Sequence, residues 1–241
     1  MFGLSPKIVP DAMLFDVDGT LYDQSFVRRR MLLRMLAHAS IQPLDALRTV
    51  RILCAYRLAQ ERVRYADDSG SLAQLSLACE MCGVSPDRAK FAVAYWMEQR
   101  PLDLIGRSMR PGLLELLQLC RRRGIAIGAV SDYAAEQKLV ALGIRQYFGA
   151  IISPFETPAI RFKPAPDGIL SALDRLGVEP TAALYVGDRQ DVDSEAARRA
   201  GVSVVIVNGQ PDTDSPGTVR NFLQLRTCLG LGPQLMEPSN E

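Results

Sequence analysis

Histidine is nearly absent: His38 is the only one in 241 residues. It lies in a stretch of helical pattern with no serine or cysteine motif beside it, so it has no nucleophile to serve. The cysteines number five, an odd and scattered set that suits reduced thiols in a cytoplasmic protein better than a disulfide framework. Neither sign of charge is in excess, with 28 Lys and Arg against 27 Asp and Glu. That balance argues against a nucleic-acid binder or a partner of acidic lipid surfaces. Long apolar runs are missing too. Ile125–Val130 and Val202–Val207 fall far short of the roughly 20 residues that cross a bilayer. The N-terminus shows no basic stretch followed by an apolar core and a cleavage site, and no repeat or low-complexity tract is visible. With 48% apolar and 23% charged residues, the composition is that of a globular protein and excludes disorder and collagen. The expectation is a soluble cytoplasmic protein with no membrane and no nucleic-acid partner.

What is present is strand–helix alternation with one interruption. Ala12–Val17 is a short apolar run ending at Gly19 and reads as a buried strand followed by a sharp turn. From Phe26 to Asp103 the chain is rich in Leu, Ala, Arg, Met and Gln, with breaks near Pro43, Asp67–Gly70 and Gly83–Pro86, which predicts three or four helices. Alternation then resumes. Helix Leu113–Arg122 leads to strand Ile125–Val130, helix Ala134–Leu142 and a short strand at Ala150–Ile152. Helix Pro166–Leu176, strand Ala183–Val186, helix Ser194–Ala200 and strand Val202–Val207 follow. A last helix over Thr218–Cys228 precedes a loose Pro/Gly/Ser-rich tail. The fold class implied is α/β, a doubly wound parallel sheet with helices on both faces. Residues 1–23 plus 105–241 form its core, and 24–104 form an inserted helical cap. The insert carries 12 basic and 8 acidic residues, leaving 16 and 19 for the remainder, so a cap of +4 faces a core of −3.

In open parallel sheets the carboxyl ends of the strands carry the ligand site. The residues at those ends are unusually acidic: Asp16, Asp18, Gly19 and Thr20 after the first strand, Ser131 and Asp132 after the second, and Gly187, Asp188, Asp191 and Asp193 after the fourth. Carboxylates converging on one rim repel unless a cation neutralises them, and an all-oxygen set suits Mg²⁺. Ser131 and Lys163 are donors, the groups that hold phosphate oxygens.

Taken together, Asp16-Val-Asp18-Gly-Thr20, Ser131, Lys163 and Gly187-Asp188-x-x-x-x-Asp193 resemble the four ordered motifs of the haloacid dehalogenase superfamily, in its phosphatase type with a helical cap (phosphoglycolate phosphatase-like). The resemblance covers roughly residues 10–210. It implies a Mg²⁺-dependent phosphate-monoester hydrolase acting on a small phosphorylated metabolite through an aspartyl-phosphate. In that scheme Asp16 is the nucleophile, Asp18 the general acid–base, and Thr20, Ser131 and Lys163 bind the phosphoryl group. The metal falls to Asp16, the Asp18 carbonyl and Asp188, with Asp193 in an indirect role for which Asp191 is a rival. Dehalogenases of the superfamily lack an acid two residues after the nucleophile, so Asp18 favours phosphoryl transfer. Two positions depart from the common pattern: Asp132 stands where many relatives have Asn, and Arg189 where Ser is frequent.

Other readings stay open at the level of sequence. A phosphomutase would share every motif, and a receiver-like phospho-acceptor domain would share the doubly wound fold, an acceptor Asp and a Lys. The Cys79-Glu-Met-Cys82 pair, without a second pair, reads as structural. Arg28, Arg29 and Arg30 form either a solvated helix face or a specificity element. Three consecutive helical residues point about 100° apart, so one or two at most can face the cleft.

Overall fold

The computed structural model describes residues 9–66, 70–157, 159–207 and 217–231. The Pro/Gly/Ser-rich tail, most of the break at Asp67–Gly70 and the first eight residues lie outside this set. The first apolar run forms β1 (Ala12–Phe15), whose four residues are all buried. It sits inside a sheet of order β3-β2-β1-β4-β5-β6 in which every pairing is parallel. The other strands are β2 (Ala126–Val130), β3 (Ala150–Ile152), β4 (Ala183–Gly187), β5 (Ser203–Val207) and β6 (Thr218–Val219).

Because side chains alternate along a strand, β1 serves two cores. Met13 and Phe15 pack on one face with Leu113, Leu116 and Leu117 of α6 (Leu113–Arg122) and with Phe222 and Leu225 of α10 (Phe222–Cys228). Ala12 and Leu14 pack on the other with α8 (Asp167–Leu176) and α9 (Asp193–Ala200). Burial on both faces is what removes any polar alternation from Ala-Met-Leu-Phe.

Between β1 and β2 the described chain is helical: α1 (Gln24–Ile41), α2 (Pro43–Val63), α3 (Ser71–Cys82), α4 (Pro86–Val93), a π-helical segment Ala94–Gln99 and the single turn α5 (Leu102–Ile105). Asp23 caps α1 by accepting from the Ser25 and Phe26 amides at 2.9 and 3.1 Å. These helices have small cores of their own, one built on Ile52, Cys79, Ala89 and Ala92 and another on Tyr56, Ala59, Ala78 and Val93. Cys79 is thus core, and Cys82 packs against the same cluster. Departing and returning chains are stitched together: the Asp23 amide donates to the Ser108 carbonyl at 2.8 Å and the Arg110 amide to that of Leu21 at 2.9 Å. None of the described helices is long and apolar enough to cross a membrane.

Two helices depart from expectation. The helix predicted over Thr218–Cys228 is divided, because the β-branched Thr218 and Val219 pair with Ile206 and Val207 as an edge strand before Asn221 caps α10 through the Gln224 amide at 3.0 Å. A two-residue strand leaves no period to read. The helix expected from Ala134 begins later, as α7 (Glu136–Ala141).

Leu117 is fully buried in the larger core. Leu117→Ala should cost about 2–5 kcal/mol, seen as a lower denaturant midpoint with an unchanged m-value.

Candidate active site

The chain leaves β1 and β4 side by side at the centre of the sheet, where the Asp16 amide donates to the Val186 carbonyl at 2.9 Å. Strand order reverses there: β2 and β3 lie on one side of β1, and β4 to β6 on the other. The carboxyl ends flanking such a switch point open a crevice. It is occupied by the predicted acids.

Lys163, from the loop before α8, supplies the central cation. Its Nζ donates to Asp16 Oδ1 at 2.6 Å, to Asp193 Oδ1 at 2.6 Å and to the Tyr185 hydroxyl at 3.1 Å. Burial works against the ammonium, but Asp16 and Asp193 outweigh it and hold its pKa well above the usual lysine value. Asp16 also accepts from Thr20 Oγ1 at 2.8 Å. Asp193 is saturated: besides Lys163 and Tyr185, its Oδ2 takes the amides of Asp188 and Arg189 at 3.1 and 3.0 Å. Its neighbour Asp191 points away into an exposed pair with Arg189 at 2.7 Å. The geometry therefore places Asp193, not Asp191, in the cluster.

Asp16, Asp188 and Asp193 each present one oxygen, all within 4.8 Å of one another. One ammonium cannot balance three carboxylates. Burial, with repulsion from Asp193 and Asp188 against the pull of Lys163, pushes Asp16 well above the ordinary carboxylate range. Burial and then Asp193 push Asp188 up to about 6. The hard, all-oxygen donor set fits a divalent metal. Two glycines make the approach possible. A Cβ on Gly19, whose φ is +98°, would stand 2.2 Å from Asp188 Oδ2, and one on Gly187 would stand 2.4 Å from Asp193 Oδ2.

Asp18 faces a separate set of donors. Lys138 Nζ of α7 reaches both its oxygens at 2.7 and 2.6 Å, the Tyr22 hydroxyl donates to Oδ1, and Ser131 Oγ lies 3.3 Å from Oδ2. Burial would raise Asp18, but these donors, Lys138 first, lower it. The two carboxylates of Asp-x-Asp are thereby driven in opposite directions. Neither Lys138 nor Tyr22 stands out in the sequence. Lys138 carries a helical spacing no different from that of a solvated lysine, and only the fold buries it.

Asp132 and Arg189 both meet the helical segment. Arg64, just past α2 and with a side chain 2% exposed, pairs with Asp132 Oδ2 at 2.5 Å and also donates to the Lys163 carbonyl. Asp132 Oδ1 accepts from the Lys163 amide at 2.9 Å. Glu61 bridges Arg64 at 3.0 Å and Arg189 at 3.2 Å. Of the basic triad, all three are exposed. Arg28 lines the cavity above the acids, while Arg30 lies over the Phe26 ring at 5.5 Å. His38 is elsewhere, paired with Asp45 at 3.1 Å.

A family model for haloacid dehalogenase-like hydrolases matches residues 10–201. The chain belongs to this family. It is 32% identical over 200 residues to a glyceraldehyde 3-phosphate phosphatase of Methanopyrus kandleri, covering 80% of this chain and 82% of the relative. It is 32% identical over 215 residues to a phosphoglycolate phosphatase of Rhodospirillum rubrum, covering 83% and 80%. The fold is shared with CbbY from Rhodobacter sphaeroides, solved in complex with phosphate, at a TM-score of 0.60 and 20% identity over 90% of this chain and 96% of that one. Membership in a family of hydrolases sets aside the receiver-like reading.

In this hydrolase Arg64 is nearly inaccessible and faces a mostly buried Asp132. Arg64→Met should cost about 3–5 kcal/mol by leaving that charge unpaired. Adding Asp132→Asn should recover part of the loss, as a coupling energy of about 0.5–3 kcal/mol in a double-mutant cycle of denaturation.

Proposed function

We propose that the enzyme hydrolyses small phosphate monoesters through an aspartyl-phosphate on Asp16, with Mg²⁺ as its metal. The observation that carries this reading is the placement of Asp16 between Lys163 and Thr20 at the floor of the cavity, two residues from an independently held Asp18. The curated relatives named for glyceraldehyde 3-phosphate and phosphoglycolate support a compact phosphorylated metabolite as the substrate class.

Asp16, the backbone carbonyl of Asp18 and Asp188 would hold the metal, which would neutralise the carboxylates and polarise the phosphoryl oxygens. Asp193 would act through Lys163 and the amides it binds. Lys163 and Ser131 would stabilise charge on the transferring group. Asp16 attacks phosphorus and the ester oxygen departs. Asp18 gives that oxygen a proton, then takes one from the water that opens the acyl phosphate. An incoming phosphate dianion competes for the Lys138 ammonium, and Asp18, released from it, returns to the range in which it can carry that proton. Residues 24–104 are proposed to be a lid domain on a core of 1–23 plus 105–241. Its net charge of +4 draws phosphate esters toward a core of −3, and closure excludes water.

Asp16→Asn should abolish turnover. Asp18→Asn should retain binding of a phosphate analogue but slow hydrolysis of an alkyl phosphate by about 10²–10⁴-fold. Near-full activity in the second variant would refute its role. Released inorganic phosphate, rather than an isomerised ester, separates hydrolysis from phosphomutase chemistry.

Mg²⁺ should raise the melting temperature and support turnover that chelation removes. Protons compete with metal for ionised carboxylates, so the thermal shift should be large near about pH 8. It should shrink as pH falls through the value of about 6 held by Asp188, and Asp188→Asn should eliminate it. Of the arginine triad, Arg28→Ala alone should raise KM for an anionic substrate several-fold, with Arg29→Ala and Arg30→Ala silent.

A further inference from the structure

The cavity above the acids has a volume of about 510 Å³, within the roughly 300–1,000 Å³ of pockets that enclose drug-sized ligands. A phosphoryl group on a two- or three-carbon alcohol fills only a fraction of it. The upper wall is apolar by construction. Val27, Met31 and Met35 recur every four residues on α1, Val50 and Leu53 lie three apart on α2, and Met97 closes the far side. These are the spacings that put side chains on one helical face. At the mouth Met35 is only half-buried, Val50 is 39% exposed, and Leu32 beside them is 59% exposed.

Part of the polar lining is already engaged, although Gln24, Arg28, Arg57 and Glu98 also border the cavity. Gln60 accepts from the Tyr133 hydroxyl and lies 3.4 Å from the Asp132 carbonyl, while Glu61 is held by Arg64 and Arg189. A polyhydroxylated leaving group would have to break those bonds to use Gln60 or Glu61. An apolar one would cover side chains that now face water, and methionine thioethers adapt to its shape.

We propose that the preferred substrate is a phosphate monoester of an alcohol bearing an extended apolar group, an alkyl or arylalkyl chain of four or more carbons, lodged between α1 and α2. This rests on the phosphatase reading above and names its leaving group.

The test is a series of n-alkyl phosphates from ethyl to octyl, with 2-phenylethyl phosphate, phosphoglycolate, glyceraldehyde 3-phosphate and p-nitrophenyl phosphate, assayed on the full chain with Mg²⁺. The expected result is a rise in kcat/KM of about fourfold per methylene, carried mainly by KM, until the chain spans the wall. The longer esters should overtake phosphoglycolate and glyceraldehyde 3-phosphate. Met35→Gln and Val50→Asn lie outside the packed clusters and should lower kcat/KM for octyl phosphate at least tenfold while leaving ethyl phosphate unchanged. A flat series with a preference for the carboxylated or sugar-like esters would overturn the inference and leave the phosphatase reading intact. A dimer that Met35→Gln or Val50→Asn dissociates would overturn it by assigning the wall to a second copy of the chain. No hydrolysis of any ester, p-nitrophenyl phosphate included, would overturn the phosphatase reading and this inference with it.

Discussion

The Lys163 ammonium sits in a space that would otherwise hold only negative charge. It lies 2.6 Å from Asp16 and 2.6 Å from Asp193, residues that follow β1 and open α9. Among the described residues no strand pairing joins that loop to those two segments, and this buried ion pair helps fix how the loop meets the sheet. Removing a buried charge from such a cluster leaves the others without compensation, and the whole rim depends on it. Asp193 then passes the constraint on, by fixing the Asp188 and Arg189 amides and so the turn that presents the Asp188 carboxylate. Three acids converge on one lysine, and burial followed by repulsion from Asp193 raises Asp188 to about 6.

A second ion pair separates Asp18 from this cluster. Two residues of sequence place Asp16 and Asp18 on opposite sides of the turn, one facing Lys163 and the other Lys138. Different partners drive their pKa values apart, which is the condition for giving neighbouring carboxylates different chemical duties. Gly19 makes the division possible, since any side chain there would occupy the Asp188 carboxylate position.

Much of this was readable in advance. Helix Leu113–Arg122 and strand Ala150–Ile152 fall where the apolar pattern puts them, because an α/β core buries each element against its neighbours and leaves a clean periodicity. The motif residues Asp16, Thr20, Lys163, Asp188 and Asp193 converge because they lie in the loops and helix starts at the carboxyl ends of one sheet. Residues whose importance comes from burial alone left no trace. Lys138, Tyr22 and Arg64 are ordinary in spacing and composition, and each acquires its partner from a segment 4 to 120 positions away. The β6 strand escaped for the opposite reason, as two residues hold too little pattern to outvote a neighbouring helix.

Arg64 grips the Lys163 carbonyl from outside while Asp132 grips the Lys163 amide from within. The peptide that carries the central lysine is therefore clamped between the helical segment and the sheet. This makes the two halves of the chain poor candidates for modular exchange. A helical segment without the arginine would strand the aspartate, and a core without the aspartate would strand the arginine. Asp132 is one half of a matched pair with Arg64, and chimeras of this enzyme will have to move both halves together.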